Sequence, residues 1–252
     1  MKESLKKILR PYYHGTCTFL KRLRWSLFGR KVVDFYNVPI IINNFNRVTY
    51  LKKLIDSLTQ RGYNNIYIID NASTYPPLLE YYESCPYNVF RLSENIGYLS
   101  LWKTKIYKQF QKDYFVYTDS DLQIHKDCPD NFMEHFYGIM QRRKNAQKVG
   151  FGLAIDDLPD AYNNKNEVIA WEKQFWQKEV ESGVFLAPID TTFALYRPFV
   201  KGPANSFVEH LRTGHPYIMY HLPWYANSAS LSEEDVYYVK NIATSTHWSQ
   251  KG

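Results

Sequence analysis

The sequence has few cysteines, and their arrangement suggests neither a crosslink nor a thiolate metal site. Cys17, Cys85 and Cys128 are odd in number, far apart and never spaced as Cys-x-x-Cys. This pattern argues against a disulfide framework and against a zinc site built from thiolates. We therefore expect a reducing, cytoplasmic setting.

The sequence also lacks a long hydrophobic run. No apolar stretch approaches the roughly eighteen residues that a membrane-spanning helix requires, and no signal-peptide core is followed by a cleavage site of small residues. We expect any contact with a membrane to be peripheral, on its cytoplasmic face.

Excess positive charge is missing from the body of the chain. The formal net charge is +6, but residues 1–31 hold nine Lys and Arg against Glu3 alone, and the remainder has 22 basic and 24 acidic residues. A nucleic-acid-binding domain would carry its positive charge over a folded face. The distribution predicts no nucleic-acid partner.

The basic N-terminal segment, residues 1–35, has its apolar residues at helical spacing, with Lys and Arg on the other positions. Pro11 and Gly15 divide it into two short predicted helices. One interpretation is that residues 1–31 bind an anionic membrane surface, where Coulomb attraction and shallow apolar insertion add. The other is a helix packed on the body with its charges solvated.

From Val38 onwards, apolar runs typical of buried strands alternate with helical patterns. The predicted strands cover 38–42, 66–69, 88–92 and 114–118, and the alternation indicates a parallel sheet covered on both faces. Polar residues follow each strand: Asn43, Asn44 and Arg47, then Asp70 and Asn71, then Asn95 and Gly97, then Asp119, Ser120 and Asp121. Because the carboxyl ends of parallel strands share one edge, we expect these clusters to converge there.

The last of these clusters holds two carboxylates one residue apart. In an extended segment alternate side chains point the same way, so Asp119 and Asp121 can face one cleft while Ser120 points elsewhere. Two converging carboxylates favour a cation between them, and hard oxygen ligands suit Mg²⁺ or Mn²⁺. Taken alone, the short pattern is also compatible with a turn after the strand.

Together these segments resemble GT-A fold glycosyltransferases of the family 2 type. The resemblance covers roughly residues 38–125 and rests on the ordered segments 39–47, 69–73, 95–97 and 119–121. It implies a Rossmann-like α/β fold with a mixed, mainly parallel sheet flanked by helices. It also implies that Asp70 contacts the nucleotide base and that residues 43–47 lie along the nucleoside. Asp119 would approach the ribose, and Asp121 would hold a divalent cation that bridges the donor phosphates.

Several other residues join this predicted site. Trp102 and Ser120 complete the candidates for binding the nucleotide sugar. Several GT-A enzymes close the metal site with a late histidine, and His221, before a Pro-Trp turn, matches that role best. The candidate metal ligands are therefore Asp119, Asp121 and His221, with Mn²⁺ or Mg²⁺ as cofactor.

The second half of the chain, residues 156–252, is predicted to bind the acceptor, whereas 36–155 hold the donor. We expect a helix and a fifth strand over 128–155, a helix over 167–180 and one strand over 184–197. A carboxylate in so apolar a run is costly unless it is paired or used. Asp190 is thus a candidate for the catalytic base or for a contact to the transferred sugar; the alternative is a structural carboxylate held by Thr191 or Thr192.

The residues around Glu234 offer a second place for the base. Many inverting family members carry a Glu-Asp pair after the acceptor strand, and the only counterpart here is 233–235, at the start of a helix that Ser232 is predicted to cap. The identity of the base, and hence inversion or retention, stays open between Asp190 and Glu234.

These observations predict a metal-dependent hexosyl- or N-acetylhexosaminyltransferase. The expected donor is a nucleotide sugar, most simply a UDP-sugar, and the expected acceptor is a saccharide or lipid-linked saccharide in glycan or surface polysaccharide synthesis. One alternative is a sugar-1-phosphate nucleotidyltransferase, which would need a Gly-rich loop after the first strand, where this chain has no glycine. Another is a non-catalytic carbohydrate-binding protein with the same pocket.

Overall fold

The computed structural model describes residues 16, 19–20, 23–29, 31–32, 34–200, 202 and 209–242. These residues form one ten-stranded mixed sheet. The strands are β1 (Ile40–Asn44), β2 (Ile66–Asp70), β3 (Asn88–Arg91), β4 (Phe115–Asp119), β5 (Leu122–Ile124), β6 (Ala146–Leu153), β7 (Glu179–Glu181), β8 (Val184–Leu186), β9 (Ala194–Tyr196) and β10 (Glu209–His221). The α-helices are α1 (Thr49–Thr59), α2 (Pro76–Ser84), α3 (Ser100–Lys103), α4 (Tyr107–Phe110), α5 (Phe132–Arg142), α6 (Lys165–Glu172) and α7 (Glu233–Asn241).

The four strands predicted first form the parallel part of the sheet, in the order β3-β2-β1-β4. Asn44 is in register with Asp70, and Asn43 with Asp119. Asp70 is in turn in register with Arg91. The polar strand ends therefore lie side by side along one edge, as expected for parallel strands.

Both faces of the central strand β1 are buried. Ile40 and Ile42 of β1 pack with α1 and α5 in one hydrophobic cluster, whereas Ile41 packs with Phe115 and Tyr117 in a second cluster on the opposite face. This alternation follows from the two-residue period of a strand. The predicted fold class, a mixed sheet flanked by helices, is confirmed.

The second half of the chain extends the same sheet. β9 lies between β4 and β6 and runs antiparallel to both. β10 runs parallel to β6 and antiparallel to β8 and β5. Strands from the predicted donor half and from the predicted acceptor half are therefore interleaved in one sheet.

The prediction of a single strand over 184–197 is wrong. The segment forms β8 and β9, which occupy separate places in the sheet, and residues 187–193 connect them. Pro188 has no N–H to donate to a ladder, which favours an end of the strand near that point. Asp190 consequently lies on a connection.

Three further boundaries differ from the prediction. The helix predicted over 167–180 is α6, a 3₁₀ turn over Lys173–Trp176 and the short strand β7. The fifth predicted strand exists but begins earlier, as β6. The thirteen-residue strand β10 was not predicted, because Gly214 and Pro216 interrupt its apolar pattern; the register shifts between Thr213 and Ile218.

Much of the predicted N-terminal segment lies outside the described residues. Thr16, residues 19–20 and residues 23–28 are helical. Trp25 is buried in the second hydrophobic cluster, with the Arg197 guanidinium 5.1 Å from its ring centre. No helix of the described residues is long and apolar enough to cross a membrane.

Candidate functional site at the carboxyl ends of the strands

Asp119, the last residue of β4, is held from two sides. The Asn43 side-chain amide donates to Asp119 Oδ1 at 3.3 Å, and the Thr191 hydroxyl donates to Asp119 Oδ2. The Asp119 N–H also donates to the Thr191 carbonyl at 2.9 Å. Thr191 therefore binds Asp119, so it is not the partner required by the alternative in which Asp190 is a structural carboxylate.

A buried network sets the direction of the Asn43 amide. The Ser100 hydroxyl donates to Asn43 Oδ1 at 2.7 Å, which leaves the Asn43 nitrogen facing Asp119. Tyr117 lies 3.0 Å from the Ser100 hydroxyl and donates to the Tyr98 carbonyl at 2.8 Å. Such a connected network fixes one geometry for the carboxylate.

Asp121 is aligned by the late strand β10. Its carbonyl accepts a hydrogen bond from Leu222 at 2.8 Å, and β5, which begins directly after Asp121, pairs with the end of β10. This pairing brings His221 Nε2 to 3.5 Å from Asp121 Oδ2. The structure thus brings together the predicted pair of Asp121 and His221, although they are far apart in sequence.

The two carboxylates respond differently to their surroundings. The pKa of Asp119 is raised to about 8, first by burial and then by the charge of Asp121, although hydrogen bonds from Thr191 and Asn43 oppose the shift. Burial would also raise the pKa of Asp121, but His221 and then Arg47 outweigh it and lower that pKa. Like charges held this close favour either a shared proton or a cation.

A closed metal cage is not formed by the protein alone. Within the described ranges, no three His, Cys, Asp or Glu side chains are arranged to hold an ion. The His221 Nδ1 atom is buried without a hydrogen-bond partner among those residues. Mg²⁺ is commonly held by one or two carboxylates together with substrate phosphates, and a strand end with Asp119 and Asp121 fits that kind of site.

The second strand ends in a buried carboxylate. Asp70 accepts from the Ser73 N–H at 3.3 Å and from the Tyr82 hydroxyl at 3.4 Å, and Arg91 Nε lies 3.9 Å away. Burial raises the pKa of Asp70, against these contacts. The Asn44 amide donates to Tyr82 at 2.9 Å, so it joins Asp70 through that hydroxyl.

Asn71 organises the loop after β3. It donates to the Gly97 carbonyl at 3.0 Å and accepts from Ile96 at 2.9 Å, while Asn95 accepts from the Gly97 N–H at 2.9 Å. Gly97 has φ +77°, which explains the glycine at this turn. The prediction placed these three residues at the site, and the structure brings them to one another beside β2.

Two candidates for binding the nucleotide sugar, Trp102 and Ser120, are packed against other parts of the protein. The Trp102 indole N–H donates to the Val200 carbonyl at 3.0 Å, and its ring lies 4.8 Å from that of Tyr117. Ser120 is buried in the turn between the two carboxylates. Asp190, by contrast, has an exposed side chain. It lies close enough to Asp119 for its charge to raise the pKa of Asp119.

The C-terminal helix α7 covers the loop after β1. Arg47 forms an ion pair with Asp235 and lies 3.9 Å from the ring centre of Tyr238. The Tyr237 hydroxyl donates to Thr74 Oγ1 at 3.0 Å, in the loop after β2. Arg47, predicted to lie along the nucleoside, is thus fixed by α7.

Glu234 has a definite structural contact. Its Oε2 accepts hydrogen bonds from the backbone of Val48 at 3.0 Å and of Thr49 at 2.8 Å, at the N-terminus of α1. A carboxylate there satisfies free N–H groups and is favoured by the helix dipole. The predicted N-cap is present, since Ser232 accepts from Asp235 at 3.1 Å.

Sequence reasoning missed several supporting residues. Ser100 and Tyr82 stand in unremarkable helical contexts, and nothing local marks them as partners of Asn43 and Asp70. The residue type of Asn46 was a signal for a turn, because Asn is favoured at positive φ, and Asn46 has φ 52°. Its side-chain oxygen accepts hydrogen bonds from the backbone N–H groups of Thr74 at 2.7 Å and Tyr75 at 2.9 Å. It joins the loops after β1 and β2.

The fold is an α/β fold of GT-A type, and the parallel strands end in acidic and amide side chains along one edge of its sheet. Residues 40–150 match the family model described as "Glycosyl transferase family 2". The resemblance predicted from the sequence is confirmed over this part of the chain, which contains Asn43, Asp70, Asp119 and Asp121. A search of curated proteins finds no match.

Two similar solved structures are both only distantly related. GalNAc-T7, crystallised with UDP, GalNAc and Mn²⁺, is 13% identical, with a TM-score of 0.47 over 73% of this chain and 43% of that chain. Glucosyl-3-phosphoglycerate synthase from Mycobacterium tuberculosis, crystallised with phosphoglyceric acid, is 15% identical, with a TM-score of 0.40 over 64% of this chain and 57% of that chain. The chain thus spans less than two thirds of either protein's length.

Proposed function

We propose that this protein is a metal-dependent glycosyltransferase that moves a hexosyl or N-acetylhexosaminyl group from a UDP-sugar to a saccharide or lipid-linked saccharide. The observation that carries the proposal is the adjacency of Asn43 and Asp119 at the ends of parallel strands, with Asp121 directly after them. Ligands of open α/β sheets bind at this edge. These three residues lie within residues 40–150, the segment that matches glycosyl transferase family 2.

In this proposal the strand-end carboxylates serve the diphosphate of the donor. Asp121 would hold a divalent cation, Mn²⁺ or Mg²⁺, with Asp119 and His221 beside it. When bound, that cation supplies positive charge against the charge that develops on the leaving diphosphate. Asn43 and Thr191 keep the Asp119 carboxylate in place, with Ser100 fixing the Asn43 amide, so little reorganisation of Asp119 is needed on binding.

We propose that Asp190, rather than Glu234, is the base that takes the proton from the acceptor hydroxyl. Asp190 is exposed on the connection between β8 and β9, near Asp119, where a base could reach an acceptor hydroxyl. Glu234 is buried and already accepts two backbone hydrogen bonds at the start of α1. A carboxylate in that position is poorly placed to accept a proton from a substrate.

The nucleotidyltransferase alternative is less well supported. It would use a Gly-rich loop after β1 to cradle phosphates. Here Asn46, not glycine, takes the positive φ of that loop, and its N–H donates to Ser73 at 2.9 Å. For a non-catalytic carbohydrate-binding protein, neither the acidic pair nor its supporting network would be needed.

Calorimetry with UDP tests the donor site. UDP should bind more tightly with Mn²⁺ than with EDTA, and Asp121→Asn should remove the difference while the protein stays folded. Asp113→Asn, on the loop before β4, is a control for loss of a carboxylate. Equal UDP affinity with and without the cation in the wild type would contradict the metal-dependent site.

We further propose that the protein associates peripherally with the cytoplasmic face of an anionic membrane through residues 1–31. The described helical residues there expose large apolar side chains, whereas Trp25 is buried against the body. The exposed side chains are those of Phe19, Leu20, Leu23, Leu27 and Phe28. Together with the basic excess of this segment they suit a bilayer surface carrying anionic lipid.

A further inference from the structure

The connection between β8 and β9 rests on two buried basic side chains. Lys148 Nζ donates to the Ile189 carbonyl at 2.5 Å and to the Asp190 carbonyl at 3.0 Å. Arg212 Nε donates to the Pro188 carbonyl at 2.8 Å. Three successive carbonyls of the connection are therefore bound by side chains, and no backbone N–H of the described residues donates to them.

Lys148 and Arg212 reach the connection from the same face of the sheet. Arg212 of β10 is in register with Gly150 of β6, two residues from Lys148, and side chains two residues apart share a face. Lys148 is fully buried and Arg212 nearly so. Glu172 of α6 accepts from Arg212 at 2.7 Å, which pairs the second cation.

Burying an ammonium group costs free energy, because the charged group loses its hydration. Burial lowers the pKa of Lys148 to about 7, although the charge of Asp190 opposes the shift. Replacing buried ionic groups by apolar side chains of similar volume is often neutral or stabilising. The hydrogen bonds of Lys148 to the connection are thus better explained by a need for one loop geometry than by stability.

We propose that Lys148, assisted by Arg212, is a positioning residue that fixes the 187–193 connection so that Asp190 and Thr191 face the reaction site. The proposal rests on the proposed glycosyltransferase function. Anchoring three carbonyls beneath the connection leaves the Asp190 side chain exposed above it and holds Thr191 in contact with Asp119. A shift of about 1 Å in such a group can cost on the order of a hundredfold in rate.

The anchoring itself is tested by hydrogen exchange on the full chain, with no substrate present. Lys148→Met should speed exchange in a peptide covering 187–193 at least tenfold and leave peptides of β1 and α1 unchanged. Tyr196→Phe is the matched control, because it removes only the 3.2 Å contact of Lys148 with the Tyr196 hydroxyl and keeps both carbonyl bonds. Unchanged exchange in Lys148→Met would overturn the proposal, whatever the activity of the protein.

Kinetic measurements then test whether Lys148 affects catalysis by positioning Asp190. Lys148→Met should lower kcat, measured at a saturating concentration of UDP-sugar, tenfold to a hundredfold, and it should add no further loss of kcat in an Asp190→Asn background. An equal fold loss in both backgrounds would show that Lys148 does not act through Asp190 and would overturn the positioning role. If the wild type transfers no sugar while exchange responds as expected, the proposed function fails and the anchor stands.

A second variant protects the test against misfolding. If Lys148→Met shows no cooperative thermal transition, Arg212→Gln combined with Glu172→Gln removes the other anchor and its counterion together. This pair should likewise speed exchange across 187–193. Unchanged exchange in a folded double variant would contradict the anchoring of the connection by both basic side chains.

Discussion

The hydroxyl of Thr191 offers a sharp test of how the site holds Asp119. Thr191→Val keeps the shape of the side chain and removes the hydrogen bond to the Asp119 carboxylate. Asp119 would retain the Asn43 amide at 3.3 Å and its backbone bond to residue 191. The substitution therefore isolates one side-chain contact without displacing the connection.

The expected magnitude follows from the charge of the acceptor. A hydrogen bond to a charged group contributes about 1.5–3 kcal/mol. If that interaction orients Asp119 for the donor, its loss should weaken UDP binding in the presence of Mn²⁺ by roughly tenfold to a hundredfold, since about 1.4 kcal/mol corresponds to a factor of ten. The pKa of Asp119, already raised, should rise further because one opposing contact is gone.

The assay is calorimetric titration of UDP with Mn²⁺, with a thermal melt of each protein. Thr192→Val is the matched control, because the neighbouring hydroxyl makes no hydrogen bond to the described residues. Wild-type affinity should survive in the control and fall in Thr191→Val. An affinity of Thr191→Val within twofold of wild type would refute the inference that this contact prepares the donor site.

Three other predictions concern separate parts of the structure. Glu234→Ala should lower Tm by about 2–8 °C, because about 1–2 kcal/mol of helix capping is lost, and it should leave kcat within twofold of wild type. Glu233→Ala, with an exposed side chain, is the control. A hundredfold loss of kcat without a change in Tm would restore Glu234 as the base. Folding lowers the pKa of Lys148 from 10.5 to about 7, so between these pH values the unfolded chain binds a proton that the folded chain does not. The free energy of unfolding of the wild type should therefore rise relative to that of Lys148→Met from pH 7 to 10. A difference in unfolding free energy between the two proteins that stays constant over this range, measured by chemical denaturation, would contradict this. Liposomes with anionic lipid should sediment the full chain better than a chain starting at residue 34, whereas neutral liposomes should sediment both equally. Equal sedimentation of the two chains with anionic liposomes would refute membrane association through residues 1–31.

The sequence predicts the fold of residues 36–155 well because its signals are local. Each of β1, β2 and β4 is a short apolar run that ends in a polar residue, and parallel pairing follows from the alternation with helices. The convergence of Asn43, Asp70 and Asp119 is a consequence of that topology alone. This is why the predicted succession of strands and helices along the chain agrees with the confirmed family resemblance.

The remaining features depend on contacts between distant parts of the chain. Thr191 meets Asp119 across 72 residues, and Glu234 meets Val48 across 186. No local pattern distinguishes a threonine that supports a neighbouring strand end from one that supports Asp190 beside it. Likewise, Lys148 within β6 is an ordinary lysine until the connection between β8 and β9 is placed above it.

The central claim is tested most directly by release of UDP from a panel of UDP-sugars, measured with Mn²⁺, with EDTA and in Asp121→Asn. The account predicts release from at least one UDP-sugar that requires the cation, is lost in Asp121→Asn and increases when a suitable saccharide acceptor is added. No release from any sugar nucleotide, together with formation of a sugar nucleotide from a nucleoside triphosphate and a sugar 1-phosphate, would contradict it.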